Sequence, residues 1–390
     1  MGGDENRLLS FGGHVDRSRF DHRVLMTVMP TPQSNARLGD MIPAYDAADI
    51  ALEIVGTNGI IRRRTLGAQL VSGMRATELV FRLARLFRRE RIDVVDARLH
   101  YPMALGLAAG RLAGVPAIVG TGYFHGLVLE KPLLIATGRA VISRLDALIS
   151  DSQFAIDGYQ NWLPRPHPRA VVIPNGIPIP QSKRSRPEMR RHFGLPEAAT
   201  VVGQVSRIVP HKGHLILIRA IAPLMAERPD LHLLICGFAE DQMYLKQLHQ
   251  EAAKLNVRDH VHIAGYPGPI ADVWTTIDVQ AHASLLDSSP IAIHEGMAVG
   301  LPAVVTDEGG ARELVVDGET GLVVPKGDED ALRRGLRAVL SNAELSRRLA
   351  AGAKGRYHER HRPEVMSRAH EVLFRSIVEQ KRRRTARRLA

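Results

Sequence analysis

The chain has 390 residues, 45% of them hydrophobic and 24% charged, which excludes a disordered or fibrous protein and indicates two or three folded domains. Its formal net charge is +11, so an anionic ligand or surface is an expected partner. No apolar run approaches the roughly 18 residues that span a bilayer, and the N-terminus lacks the pattern of a signal peptide. A cytoplasmic protein is therefore predicted. Its single cysteine, Cys236, lies in an apolar run, which favours a buried side chain over a nucleophile.

The basic charge is concentrated at one end. Residues 381–390, KRRRTARRLA, carry six basic groups and no acid, and the stretch at 79–91 adds basic surface in the first half. Such a tail is either solvated or attracted to an anionic membrane or polyphosphate, so a protein that is peripheral on the inner face of the membrane is the second interpretation. Nucleic acid is disfavoured, because no helix-turn-helix, zinc-finger or RNP-type signature accompanies the charge.

Short β-branched runs alternate with helical patterns along the chain, as in βαβ units built on a parallel sheet. A first series of runs, starting at residues 23, 92, 116, 146 and 170, reads RVLMTV, IDVVDA, PAIVGT, DALISD and AVVIP. A second series, starting at 200, 231, 260, 278, 302 and 321, reads TVVGQVS, LHLLICG, HVHIAG, DVQAHAS, PAVVT and GLVV. The fold class predicted from this alternation is α/β, with two Rossmann-like domains.

A segment rich in Pro, Gly and polar residues separates the two series and marks a domain boundary. The predicted organisation is an N-terminal domain over 1–176, a linker over 177–187 and a C-terminal domain over 188–360. A helix over 361–380, expected to return to the N-terminal domain, and the basic tail over 381–390 complete it.

The most patterned stretch runs from Asp287 to residue 325. After Asp287 and a serine it reads SPIAIHEGMAVGLPAVVTDEGGARELVVDGETGLVVP, residues 289–325. It follows a predicted strand, so Ser289 is a plausible N-cap and Pro290 a first helical residue. Five helical residues advance about 7.5 Å, which places Asp287 and Glu295 at the two ends of a ligand-sized span. The alternatives are that Asp287 merely caps the helix and that Glu295 is a solvated acid.

These residues carry a resemblance. The run D-x7-E followed by GMAVGLPAVVTDEGG resembles the donor-site signature of the family 4 retaining glycosyltransferases of the GT-B fold, also known as glycosyl transferases group 1. The segments SRIVPHKGHLILIRAI, VIPNGI, LAGVPAIVGTGYFHG and ISDSQF resemble further motifs of that family, and together they cover nearly all of residues 2–325. The resemblance implies two domains that face each other across a cleft and transfer of a sugar, with retention, from a nucleoside diphosphate to an acceptor hydroxyl. Surface polysaccharide or glycolipid synthesis is the implied setting, with a glycan or lipid-linked glycan as acceptor.

Carried over by position, the family motif assigns binding of the donor diphosphate to Arg207 and Lys212. The planar guanidinium of the first and the mobile ammonium of the second suit phosphate. Glu295 would accept hydrogen bonds from the ribose, and Asp287, with its neighbour Ser288, would contact the transferred sugar. Asp287 is one methylene shorter than the glutamate common there, so its loop lies closer or its contact is weaker. The alternative for the two cations is an ordinary basic surface loop.

The remaining features of the signature are less specific. Gly309 and Gly310 would allow a tight strand-to-helix turn, whereas Glu313 would act only on the dipole of the next helix. His125, in TGYFHG, is similar to the family histidine that faces the donor sugar and stabilises charge as the diphosphate leaves. A loop histidine that simply satisfies backbone groups would look the same in sequence.

The chain opens at a point where the family normally has a completed strand. Gly2 and Gly3 match the Gly-Gly loop that approaches the donor phosphates, so the N-terminal domain is expected to lack the first strand that would deliver this loop. A start codon assigned too late is the preferred explanation. The rival interpretation is a non-catalytic nucleotide-sugar binding or partner subunit with a degraded N-terminal domain.

Two motifs that suggest other chemistry fail on context. The acidic run 328–330 mimics a metal-binding DxD but stands where a helix begins, and His358 and His361 lack zincin spacing and a third ligand. The segment 120–126 nearly spells a dinucleotide fingerprint, but its third glycine comes one residue late. No catalytic metal and no resident cofactor are expected, and the nucleoside-diphosphate sugar is a co-substrate.

Overall fold

The computed structural model describes residues 3–27, 41–55, 66–123 and 132–389. The chain divides into two compact units, one formed by Met1–Gly176 with Pro363–Ala390 and the other by Ile177–Arg362. The last helix of the chain thus belongs to the first unit. Both units are α/β with parallel strands, so the predicted fold class is confirmed.

Unit 1 contains two parallel sheets, with strand orders β1-β2 and β3-β4-β5-β6. The strands are β1 (Arg23–Met26), β2 (Ala51–Ile54), β3 (Val94–Arg98), β4 (Ala117–Thr121), β5 (Ala147–Ser150) and β6 (Ala170–Val172). The helices are α1 (Gly3–His14), α2 (Met41–Ala47), α3 (Leu66–Arg89), α4 (His100–Ala113), α5 (Pro132–Ile142), α6 (Gln153–Trp162) and the C-terminal α15 (Pro363–Leu389). Because side chains alternate along a strand, the sheet has two apolar faces. Ile118 and Leu148 pack on the side of α3, α4 and α6, and Val119 and Ile149 on the side of α1 and α15.

Unit 2 contains one six-stranded parallel sheet of order β12-β11-β10-β7-β8-β9. Its strands are β7 (Thr200–Val205), β8 (Leu231–Cys236), β9 (Val261–Ala264), β10 (Val279–His282), β11 (Ala303–Asp307) and β12 (Leu322–Pro325). Its helices are α7 (Arg186–His192), α8 (His214–Glu227), α9 (Gln242–Lys254), α10 (Ile270–Trp274), α11 (Ile291–Val299), α12 (Ala311–Leu314), α13 (Glu329–Ser341) and α14 (Ala343–Arg360). The order runs outward from β7 in both directions, so the topological switch point lies between β7 and β10, where ligands of open α/β sheets bind.

Each strand predicted from the sequence is present, and among the described residues one further strand, β2, was not predicted. β2, with the sequence ALEI, carries an acid and is only four residues long, so it gives a weak alternation signal. It pairs in parallel with β1. Within the described residues α1 is the first element, and the ladders pair β1 with β2 and β3 with β4.

α1 is fixed to the rest of unit 1 by a buried arginine. The Arg7 guanidinium is fully buried and donates to Asn175 Oδ1 at 2.9 Å and to the Ile173 carbonyl at 2.8 Å, both in the segment after β6. A buried charge in hydrogen bonds of this kind is costly to leave unpaired. The contact therefore defines where α1, and Gly3 at its start, lie relative to the sheet.

The basic tail is not a separate coil. α15 continues to Leu389, and its last part carries two ion pairs to the amino-terminal edge of the unit 1 sheet. Lys381 Nζ lies 2.5 Å from Asp146 and the Arg382 guanidinium 2.9 Å from Asp93. Across the described segments, we find no helix that combines the length and the apolarity needed to cross a membrane.

Candidate functional site

The candidate site lies at the carboxyl ends of β7 and β10, the switch point of unit 2. The residues after β7 make a short 3-10 turn, Pro210–Lys212, and Gly213 is the N-cap of α8. Gly213 has φ of +70°, and a Cβ there would lie 1.8 Å from the Ala283 carbonyl oxygen. Only glycine fits so close an approach in a left-handed conformation. The β7 turn is therefore packed directly against the loop after β10.

A buried glutamine holds the two loops together. The Gln204 side-chain amide donates to the Lys212 carbonyl at 2.7 Å, and its Oε1 accepts from the Ala283 backbone N–H at 3.0 Å. The Leu285 backbone N–H donates to the His211 carbonyl at 2.7 Å. These bonds fix the backbone from which the Lys212 side chain extends.

Lys212 and Asp287 form a largely buried ion pair. The ammonium contacts Asp287 Oδ2, and the two side chains are only 11% and 12% exposed. His282 Nε2, at the end of β10, lies 3.6 Å from the same carboxylate oxygen. Burial would raise the pKa of Asp287, but the contacts with His282 and the charge of Lys212 outweigh it and hold the pKa well below its ordinary value. Asp287 is therefore ionised at neutral pH.

Arg207 extends from the same β7 loop toward the other neighbouring strand. Its guanidinium lies 3.3 Å from Glu240, which follows β8, and its side chain remains 57% exposed. Because β7 lies between β10 and β8 in the sheet, Lys212 and Arg207 lie on opposite flanks of its carboxyl end. The backbone after β7 thus has one buried and one exposed cation beside it, which suits an extended anion such as a diphosphate.

Glu295 lies in different surroundings. It is partly buried on α11, and its Oε2 accepts a hydrogen bond of 3.0 Å from the indole Nε1 of Trp274, at the end of α10. No basic side chain is paired with it in the ion pairs of the described residues. Burial raises the pKa of Glu295 to about 7, against the smaller lowering effect of the Trp274 N–H. The ionised form of Glu295 is thus stabilised by one neutral donor and by no nearby cation among these pairs.

The start of α11 differs from the sequence expectation. The helix begins at Ile291, Pro290 is its N-cap, and Pro290 has no side chain that bonds to the free N–H groups. Ser289 is therefore not the N-cap, and the prediction of Pro290 as a first helical residue is wrong by one position. Ser288 is 3% exposed, packed in the loop beside Asp287. Since proline fixes φ near −65°, it shapes the turn that leads from Asp287 into the helix.

The Gly-Gly pair lies next to this loop. Gly309 has φ of +50°, and the Gly310 backbone N–H donates to the Asp287 carbonyl at 3.1 Å. Glu313 lies in the four-residue helix α12 that follows. Glu308 is 4% exposed and pairs with Lys326, after β12, at 2.7 Å. The loops after β7, β10 and β11 therefore meet at one edge of the sheet.

Two other residues singled out from the sequence, Asp328 and Cys236, have structural roles. Gly2 and His125 lie outside the described residues, and Gly3 is the first residue of α1. Asp328 caps α13 by accepting from the Ala331 backbone N–H, as its position before a helix suggested. Burial raises the pKa of Cys236 to about 12, so this side chain is a core residue and not a nucleophile.

Among the described residues, no group of three or more His, Cys, Asp or Glu side chains is arranged to hold a metal ion. His361 contacts the ring of His294 edge to face, with 4.8 Å between centroids. Its neighbour His358 lies three positions earlier on α14.

Sequence reasoning missed four side chains that complete the site: His282, Gln204, Glu240 and Trp274. Three of them are polar residues inside or just after predicted strands, and polar residues at strand ends on the ligand-binding edge are a usable signal. Trp274 has no such signal, because it lies 21 positions before Glu295, with a strand between them.

The structure is that of a two-unit α/β protein with two cations and two acidic residues near the switch point of the unit 2 sheet. Residues 185–356 match the family model "Glycosyl transferases group 1", and residues 1–181 match "Glycosyltransferase Family 4". The chain is 30% identical over 290 residues to a GDP-mannose-dependent α-(1-6)-phosphatidylinositol monomannoside mannosyltransferase of Mycolicibacterium smegmatis, covering 71% of this chain and 74% of the relative.

A second relative, from Corynebacterium glutamicum, is a GDP-mannose-dependent monoacylated α-(1-6)-phosphatidylinositol monomannoside mannosyltransferase, 27% identical with the same coverage. Among solved structures, Anabaena HepE in complex with UDP and glucose has a TM-score of 0.77 at 22% identity, with 96% of each chain covered. That likeness shows the fold. The chain belongs to the family 4 glycosyltransferases of the GT-B fold, as the sequence resemblance implied, and it is a glycosyltransferase.

Proposed function

We propose that the protein transfers a sugar from a nucleoside diphosphate to an acceptor hydroxyl, with retention at the anomeric carbon and without a metal ion. The observation that carries the proposal is the pair of cations on the two flanks of β7, with the Asp287 loop packed against one of them. Two positive charges and a glycine-containing turn at a switch point suit a diphosphate. Arg207 and Lys212 would then stabilise the negative charge that develops as the diphosphate leaves.

The Lys212 ammonium has three N–H donors, so it is able to contact a phosphate oxygen while it keeps Asp287 in place. Asp287, ionised at neutral pH, is an acceptor for hydroxyls of the transferred sugar, and the neighbouring Ser288 lies beside it. Glu295 accepts from ribose hydroxyls at the other end of the loop and helix segment. The diphosphate oxygen takes the acceptor proton, and the carboxylates orient the substrate.

The roles of His125, Gly2 and Gly3 are proposed from the family motif alone. His125 would stabilise charge at the donor sugar, and the Gly2–Gly3 backbone would approach the phosphates. Catalysis by placement of the two substrates accounts for much of the rate in such a reaction.

GDP-mannose is the first donor to test. Both relatives described above, which match this chain over 74% of their own length, are GDP-mannose-dependent. They also act on phosphatidylinositol monomannosides, which supports a lipid-linked acceptor and a peripheral position on a membrane surface. The cytoplasmic side of that membrane is proposed from the sequence alone. Glycolipid synthesis is therefore the proposed setting. Surface polysaccharide synthesis is the alternative that the fold equally allows.

The test is transfer or hydrolysis from a panel of GDP-, UDP- and ADP-sugars, with a chelator present, followed by NMR of the anomeric configuration of the product. We expect turnover with one nucleotide series and a retained configuration. Inversion, or strict dependence on a divalent ion, would contradict the proposal. Binding of a nucleotide sugar with no turnover on any acceptor would instead identify a non-catalytic subunit.

A further inference from the structure

One helix layer of unit 1 has an unusual surface. Eleven large apolar side chains are exposed in the described part of the chain. Six of them lie on α3, α4 or α5, counting Leu99, which directly precedes α4. They are Phe81, Leu99, Tyr101, Leu112, Leu133 and Leu134. Leu133 is 74% and Phe81 60% exposed, whereas the opposite layer, α1 and α15, exposes a single such residue, Val372, among those described. The apolar surface is thus concentrated on one side of the sheet.

The same layer carries basic side chains. The exposed cations are Arg82, Arg85, Arg88, Arg89, Arg111 and Arg144, and Glu78 is an exposed acid on the second half of α3. At 100° per residue, the exposed residues of 77–89 fall within an arc of about 140°. Arg82, Arg85 and Arg88 take part in none of the ion pairs found in the described segments. Their charge is therefore available to an outside partner.

The three helices form one continuous face. The Arg88 guanidinium donates to the Leu112 carbonyl at the end of α4, and the Arg111 guanidinium donates to the Arg144 carbonyl at 3.0 Å, just after α5. These bonds join the carboxyl ends of the helices in the order α3, α4, α5. The starts of α4 and α5 bring Leu99, Tyr101, Leu133 and Leu134 to the carboxyl edge of the sheet. We call this surface the α3–α5 face.

We propose that the α3–α5 face docks on an anionic phospholipid bilayer. Apolar side chains among unpaired arginines match the interfacial region of such a bilayer, where rings and aliphatic chains enter the headgroup boundary and the cations remain at the phosphates. Each basic group near the surface contributes about 1 kcal/mol. The basic tail on α15 starts at the amino-terminal edge of the sheet, where its first two cations are paired with Asp146 and Asp93. Residues 381–387 add no exposed large apolar side chain, so the α3–α5 face is the principal contact.

The test is sedimentation of the full chain with vesicles of phosphatidylglycerol and phosphatidylcholine, at low and high salt. Arg82→Gln/Arg85→Gln should weaken partitioning roughly 30-fold at low salt, the equivalent of two basic groups at about 1 kcal/mol each. The matched control, Arg368→Gln/Arg375→Gln, changes two exposed arginines on α15 and should bind as wild type does.

The apolar contribution is tested by Phe81→Ser/Leu133→Ser, which should lower binding at high salt as well, because the hydrophobic effect is not screened. Its control is Val372→Ser/Met243→Ser, at two other exposed apolar residues. Melting curves and donor binding in solution should be unchanged in all four variants, which separates this proposal from that of the donor site. Equal vesicle binding by the α3–α5 variants and their controls would overturn it. So would a wild-type dimer that only the α3–α5 variants dissociate, since the face would then bind a second copy.

Discussion

Asp287 and Glu295, eight residues apart on one loop and helix, lie in opposite electrostatic surroundings. Asp287 contacts a buried ammonium and lies 3.6 Å from a histidine, and its pKa is held below the ordinary range. Glu295 has one neutral N–H donor, from Trp274, and its pKa is raised to about 7. The first carboxylate is permanently ionised near neutral pH, whereas the second titrates there.

The difference suggests distinct tasks. The charge of Asp287 is already balanced by Lys212, so the proposed donor diphosphate would have to share the Lys212 ammonium with it. Glu295 is desolvated without a compensating charge, so a ligand that donates hydroxyls would stabilise its ionised form. Donor binding should then release a proton near neutral pH, and donor affinity should rise as pH rises through about 7.

The largest expected effect comes from breaking the Lys212–Asp287 ion pair. Lys212→Ala leaves the Asp287 charge buried and should lower the free energy of unfolding by about 3 to 5 kcal/mol. It should also weaken donor affinity or turnover by about 2 to 4 kcal/mol. The double variant Lys212→Ala/Asp287→Ala removes the stranded charge, so it should recover stability but not donor binding. Calorimetry and nucleotide titration measure the two effects. Equal stability of the single and double variants would contradict the ion pair as described.

Next in size is a change in the turn that positions Lys212. Gly213→Ala combines a left-handed backbone with a Cβ 1.8 Å from the Ala283 carbonyl oxygen, and should cost about 3 kcal/mol of stability. The matched control is Gly114→Ala, at φ of +78° with no atom within 4 Å of the added Cβ, which should cost about 1 kcal/mol. Thermal unfolding of both separates backbone strain from the close approach. Equal losses would mean that the β7 and β10 loops do not pack as described.

The third effect concerns the titration of the Glu295 carboxyl group. Because burial raises the pKa of Glu295 to about 7, the folded state binds the proton more tightly than the unfolded state. Its contribution therefore makes the protein less stable as pH rises from about 4.5 to about 7, by about 1.4 kcal/mol per unit of pKa difference. Glu295→Gln should remove that slope and weaken donor affinity by about 2 kcal/mol above pH 7. Urea unfolding across pH 4.5 to 8 measures the first, and titration with nucleotide sugar the second. A slope that persists in the variant would assign the titration to another group.

Asp287 and Glu295 also show how much of the site the sequence predicts. The alternation of strand and helix patterns was sufficient to predict the parallel sheets. The D-x7-E spacing was sufficient to place Asp287 before a helix and Glu295 within it. The electrostatic difference was not predictable, because it depends on Lys212, His282 and Trp274, which come from other strands and helices. Such contacts are formed by the topology of the sheet, and a short motif does not encode them. β2 and the one-residue shift at Pro290 were missed for a local reason, since short segments and element boundaries have weak signals.

The smallest expected effect concerns Trp274, which touches Glu295 and acts through it. Trp274→Phe keeps an aromatic side chain in its 3% exposed position but removes the N–H that favours the ionised Glu295. The pH midpoint of donor binding should therefore move upward, and affinity at pH 7 should fall by about 1 kcal/mol, the value of one hydrogen bond. The matched control is Trp162→Phe, the other tryptophan of the chain, whose ring faces Arg139 in unit 1 at 5.3 Å. It should leave the midpoint unchanged. A loss of affinity in Trp274→Phe without a shift of the midpoint would mean that Trp274 supports the fold of α10 and does not position Glu295.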